Sequence, residues 1–237
     1  MKAANVRNLH GQVTQELGMR IVSGELRPGD VLPREEVLAE QMAVSRTALR
    51  EAMRVLSAKG LIEARPKVGT RVREERYWHQ LDADVLAWRC ASMPTADFVQ
   101  KLVEMREIIE PAAAAYAARR CSAEQFERLE LAYLSMEASR TSDEWAVADL
   151  EFHEAVLAAT NNELMVSLFS VVETALGSYF VLSARKRSDF KYSLPYHRKV
   201  YEAIRRREPE AARRAMQQMI VDSRANMTGK SRSRKPA

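Results

Sequence analysis

The sequence is poor in cysteine and has no long apolar run. Its two cysteines, Cys90 and Cys121, cannot build a disulfide framework and form no paired metal-binding motif, which is typical of a reducing cytoplasm. No segment reaches the roughly 18 continuous apolar residues of a membrane span, and the N-terminal stretch MKAANVRNLHGQ lacks the apolar region of a secretory signal. We therefore expect a cytoplasmic protein that does not engage a membrane.

Glycine and proline are also scarce. Only 8 of each occur in 237 residues, whereas Ala, Leu, Glu and Arg are abundant, which favours long helices over strands. The length suits two domains, and a hydrophobic content of 46% is enough to bury a core in each of them. We expect a mostly α protein with two domains.

Residues 1–76 show the pattern of a winged helix-turn-helix. Periodicity and turn residues predict helices over 6–26, 35–42 and 46–59, followed by short strands over 60–64 and 70–72. Ser45 is a good N-cap for the third helix, and a basic turn with Lys67 and Gly69 joins the strands into a β-hairpin wing. The pattern predicts a DNA-binding domain.

The third predicted helix carries a polar stripe suited to DNA. Arg46, Arg50 and Arg54 recur at every fourth residue with Thr47 beside them, while the opposite face is apolar. A recognition helix needs this division, because guanidinium groups must reach base edges or phosphates while the other face stays anchored. Cations at this spacing are common on solvated helices, but the preceding turn, the Ser45 cap and the basic wing favour DNA binding.

Basic residues concentrate at the two ends of the chain. Residues 1–76 carry 14 Lys+Arg and 10 Asp+Glu, a net charge of +4, and residues 230–237 add four basic residues and no acidic one. Residues 77–229 have a net charge of −3. A basic head on a mildly acidic body fits a polyanion-binding domain joined to a domain with another task, although charge alone fits a solvated surface better.

From residue 77 onward the pattern is helical. Helices are predicted over 81–91, 96–120, 123–139, 143–160, 162–186, 194–207 and 209–227. They would form an all-α bundle of six to seven helices over 77–229, joined to the head by a charged and aromatic linker over 73–80. Residues 230–237 should be a disordered basic tail.

Ionisable groups lie on the apolar face of the predicted helix 143–160. Asp149 and His153, four residues apart, share this face, and His197 lies on the inward face of a later helix. The spacing of four lets Asp149 and His153 converge on one divalent cation. Alternatively, Asp149 and His153 could form a hydrogen-bonded pair in the core, with His197 satisfied separately. Spacing alone leaves both readings open.

Arg106 lies on the inner arc of the predicted helix 96–120. A fixed guanidinium there could hold a carboxylate ligand in a bidentate fork. It could equally form a salt bridge to Glu110, one turn further along the helix. The residues alone do not decide between these two roles.

The stretch LPREEVLAEQMAVSRTALREAMRVLSAKGLIEARPKVGTRV resembles the winged helix-turn-helix of the GntR family of bacterial transcription regulators. The resemblance implies that the third helix meets operator DNA and that the wing glycine approaches the minor groove. Together with the basic stripe and wing, it predicts these DNA-binding residues: Ser45, Arg46, Thr47, Arg50, Arg54, Lys67 and Gly69. The chain departs from the family at Glu36, where an Arg that contacts DNA often stands, and we expect an altered half-site preference.

The C-terminal part resembles the helical ligand-binding domain of the FadR-type branch of this family, through MREIIEP, DLEFHEAVLAATNN and HRKVYEAI. The resemblance implies that Asp149, His153 and His197 bind a divalent metal ion of the Zn, Ni or Mn type. A fourth ligand, usually a His in the last helix, falls at Met219. Because a thioether is a poor ligand for such ions, the site should be weakened or left open for effector oxygens.

Within that branch, LDADVLAW and EPAAA are most similar to sugar-acid regulators. The resemblance implies a homodimeric repressor of a sugar-acid or other carboxylate catabolic operon. A small acidic effector such as an aldonate would release it from operator double-stranded DNA. Arg106 would hold the effector carboxylate, and weaker pocket candidates are Ser193, Arg224 and Asn226.

Two alternatives come from other functional classes. A metal-dependent helical enzyme would use Asp149 and His153 as ligands, but it leaves the basic head unexplained. A DNA-binding protein without an effector would leave the inward-facing Asp and His residues unexplained.

Overall fold

Helices dominate the structure, and the chain divides into two units. The computed structural model describes residues 2–92, 96–183 and 190–227, and the units are Met1–Pro94 and Thr95–Ala237. The described part contains eleven α-helices and one two-stranded sheet. The predicted mostly α fold, a winged helix-turn-helix followed by a helical bundle, is confirmed. The predicted tail over 230–237 lies outside the described residues.

None of the described helices combines the length and the apolarity needed to cross a membrane.

The N-terminal unit builds its winged helix-turn-helix around one small core. Its elements are α1 (Lys2–Val22), α2 (Glu35–Gln41), α3 (Arg46–Ala58), β1 (Ile62–Arg65), β2 (Gly69–Val72) and α4 (Ala83–Ser92), with a short 3-10 turn at Glu75–Tyr77. Leu17 and Ile21 of α1 meet Leu49 and Leu56 of α3 in this core, and all four are fully buried. Burying each such side chain stabilises the unit by about 1.5–3 kcal/mol, so these contacts fix α3 against α1.

Helix α3 begins at a side-chain cap and ends at a glycine. The Ser45 hydroxyl accepts a hydrogen bond from the Ala48 backbone N–H at 3.1 Å, as predicted, which satisfies one of the free donors of the first turn. At the other end Gly60 has a φ of 76°, and a Cβ there would lie 2.2 Å from the Tyr77 carbonyl oxygen. The left-handed backbone and the close approach both require glycine.

Strands β1 and β2 form the predicted wing. They are antiparallel, with Ile62 opposite Val72 and Arg65 opposite Gly69. Gly69 has a φ of 106° and Lys67, in the turn between the strands, a φ of 63°. Lys67 thus has a left-handed backbone conformation, and its side chain lies at the exposed tip of the wing.

Residues 73–80, which the sequence predicts to be the linker between the domains, pack on the N-terminal unit. Trp78 is buried, and its indole N–H donates a hydrogen bond to the Arg73 carbonyl at 2.9 Å. The His79 backbone N–H donates to the Lys59 carbonyl at 2.9 Å. Because the indole finds both an apolar environment and a hydrogen-bond partner there, this segment is part of the head.

Helix α4, assigned from the sequence to the C-terminal domain, also belongs to the head. Its Val85 and Trp88 join the core of the N-terminal unit. Gly18 of α1 makes room for the indole, since a Cβ at Gly18 would lie 2.4 Å from the Trp88 ring. An ion pair between Lys59 Nζ and Asp82 Oδ1 at 2.7 Å ties the start of α4 to the end of α3. The head therefore extends to Pro94 rather than ending at residue 76.

The C-terminal unit is a bundle of seven described helices. They are α5 (Ala96–Arg120), α6 (Ala123–Ala138), α7 (Ser142–Ala158), α8 (Glu163–Val166), α9 (Phe169–Ser183), α10 (Leu194–Arg205) and α11 (Pro209–Met227). The single helix predicted over 162–186 is two helices, separated at Ser167–Leu168, and its last three predicted residues lie outside the described part of the chain.

Helix α5 lies at the centre of this bundle. Helices α7, α9, α10 and α11 all pack on it. Its buried face includes Ala113, Ala114, Ala117 and Ala118, whose small side chains let the neighbouring helices come close. The preceding turns of the same helix place Arg106 and Glu110 inside the bundle, where both are buried.

We expect Gly18→Ala to destabilise the N-terminal unit by about 1–3 kcal/mol, because the added methyl group overpacks the contact with Trp88. The same substitution at Gly11, in the same helix but with open space around it, should stabilise the protein by about 0.5–1 kcal/mol. Thermal unfolding of the two variants by calorimetry measures the difference. Equal effects at the two positions would contradict the packing of α4 on α1.

Candidate DNA-binding surface and candidate metal centre

The outer face of α3 presents the predicted recognition residues. The structure leaves them all exposed: Ser45, Arg46, Thr47, Arg50 and Arg54. The opposite face of α3 is buried against α1 and α2. This division gives α3 an exposed surface that carries arginines on a rigid base, as reading DNA requires.

Each arginine of this stripe has a glutamate beside it, which sequence reasoning missed. Arg46 Nη1 lies 3.5 Å from Glu36 Oε1, Arg50 Nε 2.7 Å from Glu35 Oε2, and Arg54 Nη1 2.7 Å from Glu51 Oε1. Two of the three glutamates come from α2, and Glu36 is the position where the sequence departs from the expected pattern. Its nearness to Arg46 arises from the packing of two helices, so sequence spacing could not reveal it.

The wing is a second cationic element. Lys67 and Gly69 are exposed at its tip, as the DNA-binding hypothesis requires. Glu63 of β1 accepts hydrogen bonds from Arg65 at 2.9 Å and from Arg71 at 3.0 Å. These two hydrogen bonds lower the pKa of Glu63. The glutamate thus organises the wing arginines on one face of the hairpin.

The three predicted metal ligands converge inside the C-terminal unit. Asp149 and His153 on α7 and His197 on α10 are each 4% exposed or less. One potential ligand atom from each side chain lies within 4.8 Å of the other two. Asp149 Oδ1 is 3.1 Å from His197 Nε2, and Asp149 Oδ2 is 4.0 Å from His153 Nε2. This spacing suits three ligands of one cation.

The alternative reading, a satisfied Asp–His pair in the core, does not describe these contacts. Asp149 Oδ2 and His197 Nε2 are buried without a correctly aligned hydrogen bond, and so is His153 Nδ1. Buried polar atoms are normally paired, because leaving one unpaired costs about 1–3 kcal/mol. The unpaired Asp149 oxygen and His197 nitrogen lie together with His153 Nε2, and one carboxylate with two imidazoles is the donor set of a divalent metal ion, so these residues fit such an ion.

Both imidazoles are held through their other nitrogen. His197 Nδ1 lies 3.0 Å from the backbone oxygen of Ser193, and His153 Nδ1 lies 2.5 Å from Glu110 Oε2. A proton on each Nδ1 leaves the Nε2 lone pair free on the side of Asp149. Oxygen acceptors that fix the tautomer in this way are usual behind metal-binding histidines.

Arg106 and Glu110 form a buried ion pair directly behind this cluster. Arg106 Nε donates to Glu110 Oε1, and Arg106 Nη2 lies 3.4 Å from Glu110 Oε2. Burial alone raises the pKa of Glu110, but the neighbouring Arg106 and His153 outweigh it and lower the pKa to about 2. The carboxylate is therefore charged, and it holds both the guanidinium and an imidazole.

Asp149 is also held in its charged form. Burial alone raises its pKa, but contacts with His197, His153 and Arg106 lower it. Aromatic rings complete the walls, with Trp145 and Phe152 edge-on to the His197 ring at centroid distances of 5.9 and 5.0 Å. The charges therefore lie in an apolar enclosure, where electrostatic interactions are stronger than in water.

The weaker pocket candidates on α10 and α11 stay predictions. Ser193 contributes its backbone oxygen to His197 rather than a placed hydroxyl. Arg224 is partly exposed and lies 3.0 Å from Glu107. The side chain of Asn226 lies outside what the structure describes. Met219 is buried in the core of the bundle, 4% exposed.

The two units match two known sequence families. Residues 9–72 match the bacterial regulatory proteins of the gntR family, and residues 101–222 match the FCD domain. The chain belongs to the GntR family. It combines the GntR helix-turn-helix with an FCD domain, as the FadR-type branch does.

Relatives of this GntR-family protein cover about nine tenths of its length. The uncharacterized HTH-type transcriptional regulator YieP of Escherichia coli K12 is 32% identical over 217 residues, covering 90% of this chain and 93% of the relative. The galactonate operon transcriptional repressor of the same organism is 32% identical over 218 residues, covering 91% and 95%. The GntR-family chain is therefore a transcriptional regulator and not an enzyme, which removes the metal-dependent enzyme as an alternative.

A solved structure supports the fold of this GntR-family protein. Lar, described as controlling expression of the Listeria monocytogenes agr system, aligns with a TM-score of 0.62, covering 94% of this chain and 97% of that chain. At 23% identity, this likeness concerns the fold alone.

We expect Glu110→Ala to destabilise the metal-free protein by about 3–5 kcal/mol, because it leaves the Arg106 guanidinium buried without its partner. Replacing both residues, as Arg106→Met with Glu110→Leu, should recover most of that loss. Asp97→Ala, which removes an exposed pair with Lys101 on the same helix, should cost about 0.5 kcal/mol. Urea denaturation in the presence of a chelator gives the three values, and a loss at Glu110 as small as that at Asp97 would contradict a buried pair.

Proposed function

We propose that this protein represses a catabolic operon for a sugar acid or another small carboxylate. It binds operator DNA as a homodimer through α3 and the wing, and a small acidic effector bound inside the FCD domain, beside a divalent metal ion, releases it. The observation that carries the proposal is the convergence of Asp149, His153 and His197 in the core of the bundle, where Asp149 Oδ2 and His197 Nε2 are buried and unpaired.

The DNA half of the proposal assigns contacts to the exposed face of α3 and to the wing. Arg46 and Arg50 would reach base edges or phosphates in the major groove, with Arg54 further along the same face. Lys67 and Gly69, at the tip of the wing, would contact the adjacent minor groove. A single head reads only one half-site, so two copies on a palindromic operator give the affinity and spacing that regulators of this kind need.

The sensing half of the proposal follows from the charges around the cluster. Arg106 carries one positive charge and Glu110 and Asp149 one negative charge each, so with neutral imidazoles, the form that binds a metal ion, the enclosure has a net charge of −1. A bound divalent ion would supply positive charge and open coordination positions for ligand oxygens. The loaded enclosure would then have a net charge of +1, which a monoanionic carboxylate neutralises.

Arg106 keeps donors for such a ligand. A guanidinium has five N–H donors, and the contacts with Glu110 involve Nε and Nη2. The remaining donors suit an effector carboxylate, so the ion pair with Glu110 and effector binding are compatible roles. The choice of a sugar acid is supported by the galactonate operon repressor, which aligns with 91% of the chain.

Release requires that the effector prefer one arrangement of the dimer. A ligand shifts a conformational equilibrium only by its difference in affinity for the two states. The effector would therefore contact both α5, through Arg106, and the cluster on α7 and α10. The metal ligands alone connect α7 with α10. An effector that also contacts Arg106 would connect α5 to these two helices.

We expect the chelator-treated protein to bind one Zn²⁺, Ni²⁺ or Mn²⁺ ion. Asp149→Asn and His197→Gln should each lower the affinity by more than about 100-fold, beyond the range found for outer-shell partners. His79→Gln, at an exposed histidine of the head, should leave it unchanged. Titration calorimetry measures these affinities. An unchanged affinity in the His197→Gln protein would rule out the proposed site.

We expect galactonate or a related aldonate to release the protein from its operator, and removal of the metal with EDTA to prevent release. Arg106→Lys keeps a positive charge beside Glu110 but loses the planar guanidinium that can hold a carboxylate through two hydrogen bonds. The variant should therefore bind the operator with normal affinity, and its release should need at least about tenfold more ligand. Gel-shift titration with DNA flanking the gene tests both points. Equal release by neutral sugars would show that the site does not recognise acids.

A further inference from the structure

The three arginines of the recognition helix are neutralised by the protein itself. Their side chains are 62–76% exposed, yet each guanidinium has a glutamate carboxylate within 3.5 Å. A cationic stripe that binds phosphates without regard to sequence would instead present unpaired charges. The face of α3 that meets DNA therefore has little net charge of its own.

Two of these glutamates are placed by the helix-turn-helix itself. Helix α2 begins at Glu35, so Glu35 and Glu36 form its first turn, while Leu38 and Ala39 on its other side are buried in the head. The turn that follows places Ala43 at a φ of 52° and brings the start of α3 back beside α2. The two carboxylates consequently stand next to Arg50 and Arg46.

The pairing leaves the arginines able to read bases. Glu35 holds Arg50 through Nε, and Glu36 contacts Arg46 through Nη1, so each guanidinium keeps donors on its other nitrogens. An arginine held by a carboxylate has fewer rotamers to lose on binding. It is therefore better prepared for a fixed guanine edge than for the many phosphate positions of a random duplex.

We propose that Glu35 and Glu36 are specificity-determining residues of this regulator. They cancel the charge of Arg50 and Arg46 toward the phosphate backbone and hold both side chains for base contacts. Binding to random DNA is thereby weakened while operator binding is kept. The proposal rests on the proposed function in one respect, that α3 reads the operator.

The size of the effect follows from the exposure of these pairs. An exposed ion pair changes an equilibrium by up to about fivefold, whereas one good bidentate contact between an arginine and a guanine discriminates by about fivefold to 150-fold. The glutamates are thus strong enough to reduce phosphate binding and too weak to prevent a base contact. Their effect should appear in the ratio of operator to random-DNA affinity.

The test compares Glu35→Gln, Glu36→Gln and Glu40→Gln in the full-length protein. Glu40 is an exposed residue of α2 that forms no ion pair with a described residue, so Glu40→Gln adds the same charge without releasing an arginine. The DNA probes are a duplex selected by the wild-type protein from a random pool and a scrambled duplex of the same length. Fluorescence anisotropy between about 50 and 200 mM salt gives affinities and salt slopes.

We expect Glu35→Gln and Glu36→Gln each to raise affinity for the scrambled duplex about fivefold and to steepen its salt dependence by about 0.9 in the log–log slope, as one more phosphate contact would. Affinity for the selected duplex should stay equal or fall. Glu40→Gln should change the affinity ratio by less than about twofold. In an Arg50→Gln background, Glu35→Gln should have no further effect, because Glu35 acts through Arg50.

Several results would overturn the inference. One is an equal gain for Glu40→Gln, which would indicate a general charge effect. Another is an unchanged affinity ratio in the Glu35 and Glu36 variants. Loss of one preferred cytosine from the sequences selected by Glu36→Gln would show that Glu36 accepts from a base itself. If the wild-type protein selects no sequence at all, the proposed operator binding fails and the inference fails with it.

Discussion

Burial of charge is the constraint on which the helical unit depends. Arg106, Glu110 and Asp149 lie inside the bundle with two imidazoles. If one of the three lost its charge or became exposed, its partners would remain buried without a matching group. Such a group is tolerated only when its charges and hydrogen-bonding atoms are matched. Helices α5, α7 and α10 supply the matching groups, so the register of these helices is set by electrostatics as well as by packing.

The head also contains Arg–Glu pairs, but they are exposed to water and contribute much less to stability. The pairs of Arg46 and Arg50 with α2 are exposed and screened, so we expect the removal of a partner there to change DNA binding by a small factor rather than to unfold the protein. Inside the bundle an Arg–Glu pair is obligatory, whereas on α3 it is adjustable. The difference in burial therefore separates the structural Arg–Glu pair of the bundle from the exposed pairs of the head.

Much of this molecule was predictable from periodicity. The bounds of α5 and α11, the Ser45 cap and the wing follow from local patterns. The shared face of Asp149 and His153 follows from their spacing of four. The contribution of His197, 44 residues beyond His153 in the sequence, required either the structure or family resemblance.

The errors have a physical origin. An apolar face shows that a helix is buried but not which core covers it, so the sequence does not reveal that α4 and Trp78 pack in the core of the N-terminal unit. The sequence predicts Glu110 only as a possible partner for Arg106, because its second contact, with His153, joins two helices distant in sequence. Local patterns cannot encode such tertiary contacts.

The packing of α4 on α1 sets the minimum length of an autonomous head. A fragment cut after residue 76 would keep the helix-turn-helix and the wing but lose Trp78, Val85 and Trp88 from its core. Gly18, shaped to receive an indole, would then face an open cleft. A fragment meant to be studied without the FCD domain should therefore retain the chain through Ser92, the last residue of α4.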